Sequence, residues 1–487
     1  MKSGGYGIVL ILICMLALAM VPVGNAQDCI ASSNYIRYQQ HYEQHAPISI
    51  DGDLDFATQA LLNGWHGQGT ETDPYIIEGY EINLSSYYSP GWGIFADGIR
   101  IRNTDAHFIM RNCCIHGRPG PEQTNYTGTP MSYGIHFDDV TNGAVEGCII
   151  SDTRNQGALV EGGSNITIRN SRFINNSDGF FGSIVIYRST NISFKSNFLE
   201  KNNGFSIEFQ ESRECVVENN TMFKGTNDGV LLFCSSNISV TGNTISEHGG
   251  TGIALSSSSN NKIVGNTIFN NNYGILVYRY HDIDGEDYGF SDDNVIVGNT
   301  VHGNSGGGIC CYVAANTTIS ENTVSNNNYT GIHIAICEKA EISGNHIVSN
   351  NGDGLHIAGS YITIKRNKVV NNSYAGIRIL DHSGILTTDD GFVYDYCSTD
   401  GNIIHDNYFE NERNFLISNE GVLKEVFWNL TPTPGKNIIG GNIIAGNYWS
   451  DYKGADKNGD GIGDTDLPYG PGDYAPLVKP GKVKQHS

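Results

Sequence analysis

The chain has 487 residues, 60 of them Gly and 52 Asn, with 51 acidic against 29 basic side chains and only 16% charged residues. Gly and Asn at this density oppose long helices and favour frequent turns, which excludes an α-helical protein. A formal charge of −22 excludes a nucleic-acid surface, because contact with a phosphate backbone needs clustered Lys and Arg.

Residues 1–26 read as a signal peptide. Lys2 precedes the apolar run Ile8 to Met20, and Gly24-Asn25-Ala26 supplies the small residues of a cleavage site near Ala26. The mature protein is then secreted, at the cell surface or in a periplasm-equivalent space. Of the 11 cysteines only Cys14 is lost with the leader, and export permits disulfides among the rest. N-x-S/T sequons at Asn83, Asn125, Asn165, Asn191, Asn237 and Asn316 are glycosylation acceptors or simply turn residues.

Residues 27–97 form an N-terminal cap and first coil, with GWHGQGTETDPYIIEGYEI overlapping the end of the cap segment Pro47 to Tyr80. A solenoid exposes strand edges at its ends and has to close them.

Residues 98–447 repeat. Gly followed by alternating apolar residues recurs at Gly98, Gly134, Gly157, Gly204, Gly229, Gly252, Gly274, Gly308, Gly331, Gly354 and Gly376, with a weaker copy at Gly182. The spacing is 23 from Gly308 to Gly331, 23 to Gly354 and 22 to Gly376. A second motif, N-I-x-V-x-G-N-T-I, runs in phase and places its last Asn at Asn197, Asn220, Asn243, Asn266, Asn299, Asn322, Asn345 and Asn367. Two or three short strands of alternating polarity per unit, with Asn and Gly corners, leave no room for a helix within the repeat. A period of 22–23 residues fits one coil of a right-handed parallel β-helix, an all-β solenoid of about twelve or more coils and roughly 60 Å. Ile332, Ile334, Leu355, Ile357, Ile377 and Ile379 should stack inward, and Asn at a fixed corner should stack into an amide column. Cys311 and Cys234 fall on the inward phase as core thiols. Cys113 and Cys148 hold equivalent places in FIMRNCCI and GAVEGCII, so they become neighbours at about the 4.8 Å strand spacing and the best candidates for a disulfide.

Two insertions break the rhythm. Asn266 to Asn299 is 33 residues and Asn367 to Asn407 is 40, and the added segments, Tyr278–Asp293 and Asp381–Asp400, are acidic and aromatic. They should leave one corner about four coils apart and wall a cleft, where long loops on a rigid scaffold carry function. Between them, the outward residue of G-I-x-I gives Cys310, His333, His356 and Arg378 on consecutive coils, with Tyr312 beside Cys310. Such a ladder suggests positive groups that hold a sugar carboxylate while a His or Tyr abstracts a neighbouring proton. Asp282 and Asp381 are alternative paired carboxylates for hydrolysis, and Tyr278, Tyr280, Tyr312 and Tyr394 are candidate sugar-binding rings. The bland alternative is a solvated outer face.

Residues 448–487 form the C-terminal cap, which NYWSDY (Asn447 to Tyr452) closes. In its loop, Asp456, Asn458, Asp460, the carbonyl of Ile462 and Asp464 match the first part of a calcium loop, with Gly461 at the turn. The twelfth position is Leu467, so the bidentate Glu is missing. Calcium is the expected cofactor, pinning the cap, against the alternative of an acidic Gly-rich turn.

The repeats, the opening GTETDPYIIEGYEI and the closing NYWSDYKGADKNGDGIGDTDLPY resemble the NosD-like periplasmic copper-binding β-helix family, of the carbohydrate-binding and sugar-hydrolase type, in its archaeal cell-surface form. The resemblance covers nearly all of the mature chain. It implies fold strongly and function weakly, since this fold carries lyases, hydrolases, epimerases, adhesins and structural proteins. Copper is implied by the family name more than by the residues. Met110, Met131 and Met222 are scattered, and only His333, His356 and Cys310 could ligate it, if they converge. The expected function is binding, extending to processing, of polysaccharide or cell-envelope glycan. The rivals are a self-associating structural component of a surface layer or sheath, and a copper-related accessory protein.

Overall fold

The computed structural model describes residues 42–87, 97–117, 132–177, 181–280, 288–380, 399–418 and 425–479, and the backbone alone of 386–387 and 393–394. Residues 1–26, expected to be a signal peptide, lie outside the described residues. Among those described, no helix is long and apolar enough to cross a membrane.

Three long parallel sheets run the length of the molecule, of 14, 13 and 15 strands. The chain visits them in the same order on every coil, so each strand pairs with its counterpart one coil on. Sheet 1 opens with Ile48–Asp51 and Ile99–Thr104, sheet 2 with Tyr75–Glu78, and sheet 3 with Glu43–Gln44 and Tyr80–Asn83. This is a parallel β-helix, and its interior is one column-built core. Ile332, Ile334, Leu355, Ile357, Ile377 and Ile379 are all fully buried, because alternation sends every second side chain of a strand inward.

Corners are where such a fold must satisfy its buried polar groups, and stacked side chains do so. Each Asn from Asn197 to Asn407 accepts, at its Oδ1, the backbone N–H of the ladder residue one coil earlier, through Asn220, Asn243, Asn266, Asn299, Asn322, Asn345 and Asn367. Asn447 continues the column, and Asp473 ends it by accepting the Asn447 N–H at 2.9 Å. The residue before each ladder Asn from Asn197 to Asn407 is left-handed, with φ +66° at Gly242 and +63° at Gly265, a conformation that Gly adopts without steric cost. That explains the repeated Gly-Asn pair.

Cys113 and Cys148 stand at the head of this column. Cys148 N–H donates to Ser171 Oγ, and Ser171 N–H donates to Asn197 Oδ1. The two cysteines are neighbours one coil apart, but both are free thiols. The disulfide expectation is corrected here. Side chains stacked in parallel register keep their Cβ atoms near the strand spacing of about 4.8 Å, outside the roughly 3.5–4.5 Å that a disulfide spans. The two thiols meet as hydrogen-bonding neighbours, and each also lies near carbonyls, Cys113 near Arg111 O at 3.4 Å and Ile77 O at 3.8 Å, Cys148 near Glu146 O at 3.5 Å and Met110 O at 3.7 Å. Cys311 is a core thiol, whereas Cys234 sits at a left-handed corner (φ +48°) and is only half-buried.

The N-terminal end is closed by helix α1, Asp53–Asn63, which the sequence reading did not foresee. Phe56 and Ala60, one turn apart, face the core, and Phe56 stacks on Tyr75 at 4.7 Å. Gly64 stops the helix in the left-handed conformation. At the other end Phe409, Trp428 and Trp449 pack together, and Trp449 Nε1–H donates to Asp473 Oδ2 at 2.9 Å.

Candidate functional site

The outer face of sheet 1 carries the candidate site. Strands Ile309–Tyr312, Ile332–Glu338, Leu355–Ser360 and Ile377–Leu380 are consecutive there, and their register places Cys310 beside His333, His333 beside His356, and His356 beside Arg378. These four and Tyr312 line a groove of about 580 Å³, together with Tyr273, Tyr329, Asp353 and Tyr374 from the corner that precedes each strand.

His333 and His356 stack face to face, 4.3 Å between ring centres and 3° from parallel. The Tyr312 hydroxyl lies 3.1 Å from His333 Nδ1. Asp353 lines the wall with 4% of its side chain exposed, 3.6 Å from Arg378 Nη1 and 4.0 Å from His356 Nδ1, and its Oδ1 has no hydrogen-bond partner. The corner rings Tyr329 and Tyr374 are exposed, and Gly352 lies in the coil between them. Those rings are two coils apart, or about 10 Å by strand spacing.

Burial sets the charge state of this surface. It pushes His333 down to about 4, with the Arg378 cation adding to the effect, so this imidazole is neutral at neutral pH. Burial pushes Asp353 up to about 6 against the pull of Arg378, the Cys310 thiol up to about 12, and the Tyr312 hydroxyl further above its ordinary value. His333 therefore adds no positive charge to the expected ladder, and Asp353 faces the Arg378 cation.

Of the other predicted residues, Tyr278 packs beside a small outer cluster of Phe205, Leu231 and Ala254, and Tyr280 packs on Phe233 and Tyr288 at 5.3 and 5.5 Å. Neither lines the groove. Their insertion folds back over earlier coils, which the strand phase alone does not reveal. Asp282 and Asp381 lie outside the described residues, as does the side chain of Tyr394, so Asp353 is the one carboxylate that the described residues bring to the groove. Asp353, Tyr329 and Tyr374 were missed because they sit in corners, off the alternating pattern. The available signal was the residue before the repeat Gly, which is also Asp at Asp97 and Asp228.

Further up sheet 1, Glu208 and Asp228 are buried carboxyls. Burial pushes Asp228 up to about 7, with the Glu208 charge adding to the shift, and raises Glu208 as well. A carboxyl whose folded pKa exceeds its unfolded value stabilises the fold at low pH and loses that contribution as pH rises through the folded value. From this group, stability falls between about pH 4 and 7, by on the order of a few kcal/mol. Asp228→Asn should flatten that slope, and urea melts of both proteins at pH 5 and pH 8 would show it; parallel slopes would refute it.

In the C-terminal loop, Asp456 accepts the N–H groups of Gly459 and Gly461 at 2.7 and 2.9 Å, Asp464 those of Lys457 and Asn458 at 2.7 and 3.2 Å, and Asp460 that of Ile462 at 2.8 Å. Gly459 and Gly461 are both left-handed. The calcium expectation has a direct test in this loop. Chelation should lower the melting temperature, Asp460→Ala should remove the sensitivity, and an unchanged melt after chelation would reject it.

The family described as periplasmic copper-binding protein (NosD) matches residues 281–454, and the right-handed β-helix region matches 75–183 and 180–286. No curated protein matches the chain. Among solved structures, a periplasmic alginate epimerase is 14% identical, with 73% of this chain and 84% of that one covered and a TM-score of 0.48. An A-module of a mannuronan C-5 epimerase from Azotobacter vinelandii is 13% identical over 71% and 97%, at 0.48. A surface adhesin of Streptococcus pneumoniae is 11% identical over 66% and 93%, at 0.39. At such scores these likenesses bear on neither ligand nor chemistry.

The donor set does not fit copper. Among the described residues no three or more His, Cys, Asp or Glu side chains are placed to hold a metal ion. His333 and His356 are parallel, so their ring nitrogens run side by side instead of converging. Met110 and Met222 are core residues, and Met131 lies outside the described residues.

Proposed function

We propose that this β-helix chain, which matches the right-handed β-helix region over 75–286 and the NosD family over 281–454, is an exported protein that binds polysaccharide in the groove on sheet 1. The observation that carries this reading is the groove's composition. Exposed tyrosine rings two coils apart flank a floor of His, Asp, Arg and Tyr polar groups on a rigid parallel sheet. Sugars present both apolar faces and hydroxyl edges, and a wall of rings and paired polar groups suits both. A chain lying along the axis would meet one set of groups per coil.

The test takes the purified mature protein to a panel of neutral and acidic polysaccharides, scoring binding and product release together, with His333→Ala/His356→Ala alongside. At least one polymer should bind, and the double variant should lose about tenfold or more in affinity, since truncating central contacts commonly costs over 1 kcal/mol each. Product release that disappears in the variant would add catalysis to the reading. Absence of any binding would replace it with the structural envelope component.

A further inference from the structure

We infer that the groove takes a neutral glycan and discriminates against carboxylated ones, with Asp353 as the acceptor of sugar hydroxyls. The inference rests on the polysaccharide reading above and names the substrate class of that same site.

Two observations carry it. Asp353 Oδ1 is a buried acceptor without a partner, on a carboxylate that lines the groove. Such an atom calls for a donor. A sugar hydroxyl supplies one, whereas a sugar carboxylate has none to give and would meet Asp353 as a like charge.

The second observation is that the one permanently charged cation among the groove-lining residues is already faced by a carboxylate. Arg378 is the cation in the lining, and Asp353 faces it at 3.6 Å. His333 stacks on His356 and touches Tyr312 through a hydrogen-bond contact. Arg413, beyond Tyr374 at 5.8 Å from its ring, is exposed to solvent and follows Glu412. Taking a carboxylate out of water without a dedicated counter-charge is costly.

Matched polymers test this directly. The full mature chain is titrated with hydroxyethyl cellulose, dextran and galactomannan, and with carboxymethyl cellulose, carboxymethyl dextran and polygalacturonate, at low and high salt. A neutral member should bind about tenfold or more tighter than its carboxylated partner at low salt, and its affinity should be insensitive to salt. Asp353→Ala should weaken neutral binding by about tenfold or more, the scale of one hydrogen bond to a charged group. Asp353→Asn, which keeps the shape but replaces one acceptor with a donor, guards against a folding defect and should weaken it too. Tighter binding of the carboxylated members, or gain of affinity in Asp353→Ala, would overturn the inference and leave the polysaccharide reading standing. Binding of neither class would overturn both.

Discussion

Asn322→Ala should destabilise the protein by about 3–6 kcal/mol, because buried groups left unpaired cost roughly 1–3 kcal/mol each. Asn322 is fully buried, and its Oδ1 accepts both the backbone N–H of Asn299 at 2.9 Å and the Asn299 side-chain amide at 3.0 Å. Its own amide donates to Ile296 O at 2.9 Å and to Asn345 Oδ1 at 3.0 Å. Alanine removes all four bonds and opens no path for water. Serine should cost less, since Ser171 holds the same place in the column and accepts the Cys148 N–H. Aspartate should cost more than alanine at neutral pH, since it sets a carboxylate against Asn345 Oδ1 and cannot donate to Ile296. Urea denaturation ranks the three, and an alanine variant within about 1 kcal/mol of the parent, a net hydrogen bond's worth, would show that the column is ornamental.

Gly331→Val should be more damaging still and leave the chain insoluble or largely unfolded. A Cβ at Gly331 would lie 2.6 Å from Ile347 Cγ2, 2.8 Å from Asn350 Nδ2 and 2.8 Å from the backbone oxygen of Gly354. The last belongs to the next coil of the same sheet, so relief requires moving the stack, and overpacking of this kind costs several kcal/mol. Gly298 offers the contrast. It has φ +66° and nothing within 4 Å of an added Cβ, so Gly298→Ala should cost only about 1–2 kcal/mol of left-handed strain. Equal loss in Gly298→Ala and Gly331→Ala, read by thermal and urea melts, would refute this division of the glycines.

That division explains why the fold was legible in the sequence. Gly331 and its counterparts recur because the next coil's backbone leaves no room, and Gly242 or Gly265 recur because the corner turns left-handed. Both constraints repeat with every coil, so they write a period into the chain. Helix α1 does not repeat and was overlooked, although Phe56 and Ala60 one turn apart, Asp53 and Asp55 in the first turn and the Gly64 stop spell it. The groove was half legible. Alternation along a strand put Cys310, His333, His356 and Arg378 on one outward line, while Asp353, Tyr329 and Tyr374 belong to corners whose direction depends on the stacked coils. The charge of the line could not be read from residue types, because a histidine's protonation follows its burial.

The Asn column also has a sense of direction. From Asn197 to Asn447 each side-chain amide donates to the carbonyl oxygen of the one after it. These amide dipoles are thus aligned head to tail, as peptide dipoles are in a helix, with the donor ends toward the C-terminus. Asp473 places its carboxylate at that end, against the Asn447 and Trp449 N–H groups. A single amide cannot turn over without setting donor against donor on one side and acceptor against acceptor on the other. The rod is therefore electrically polar along its length, and its two ends are not interchangeable to a charged neighbour.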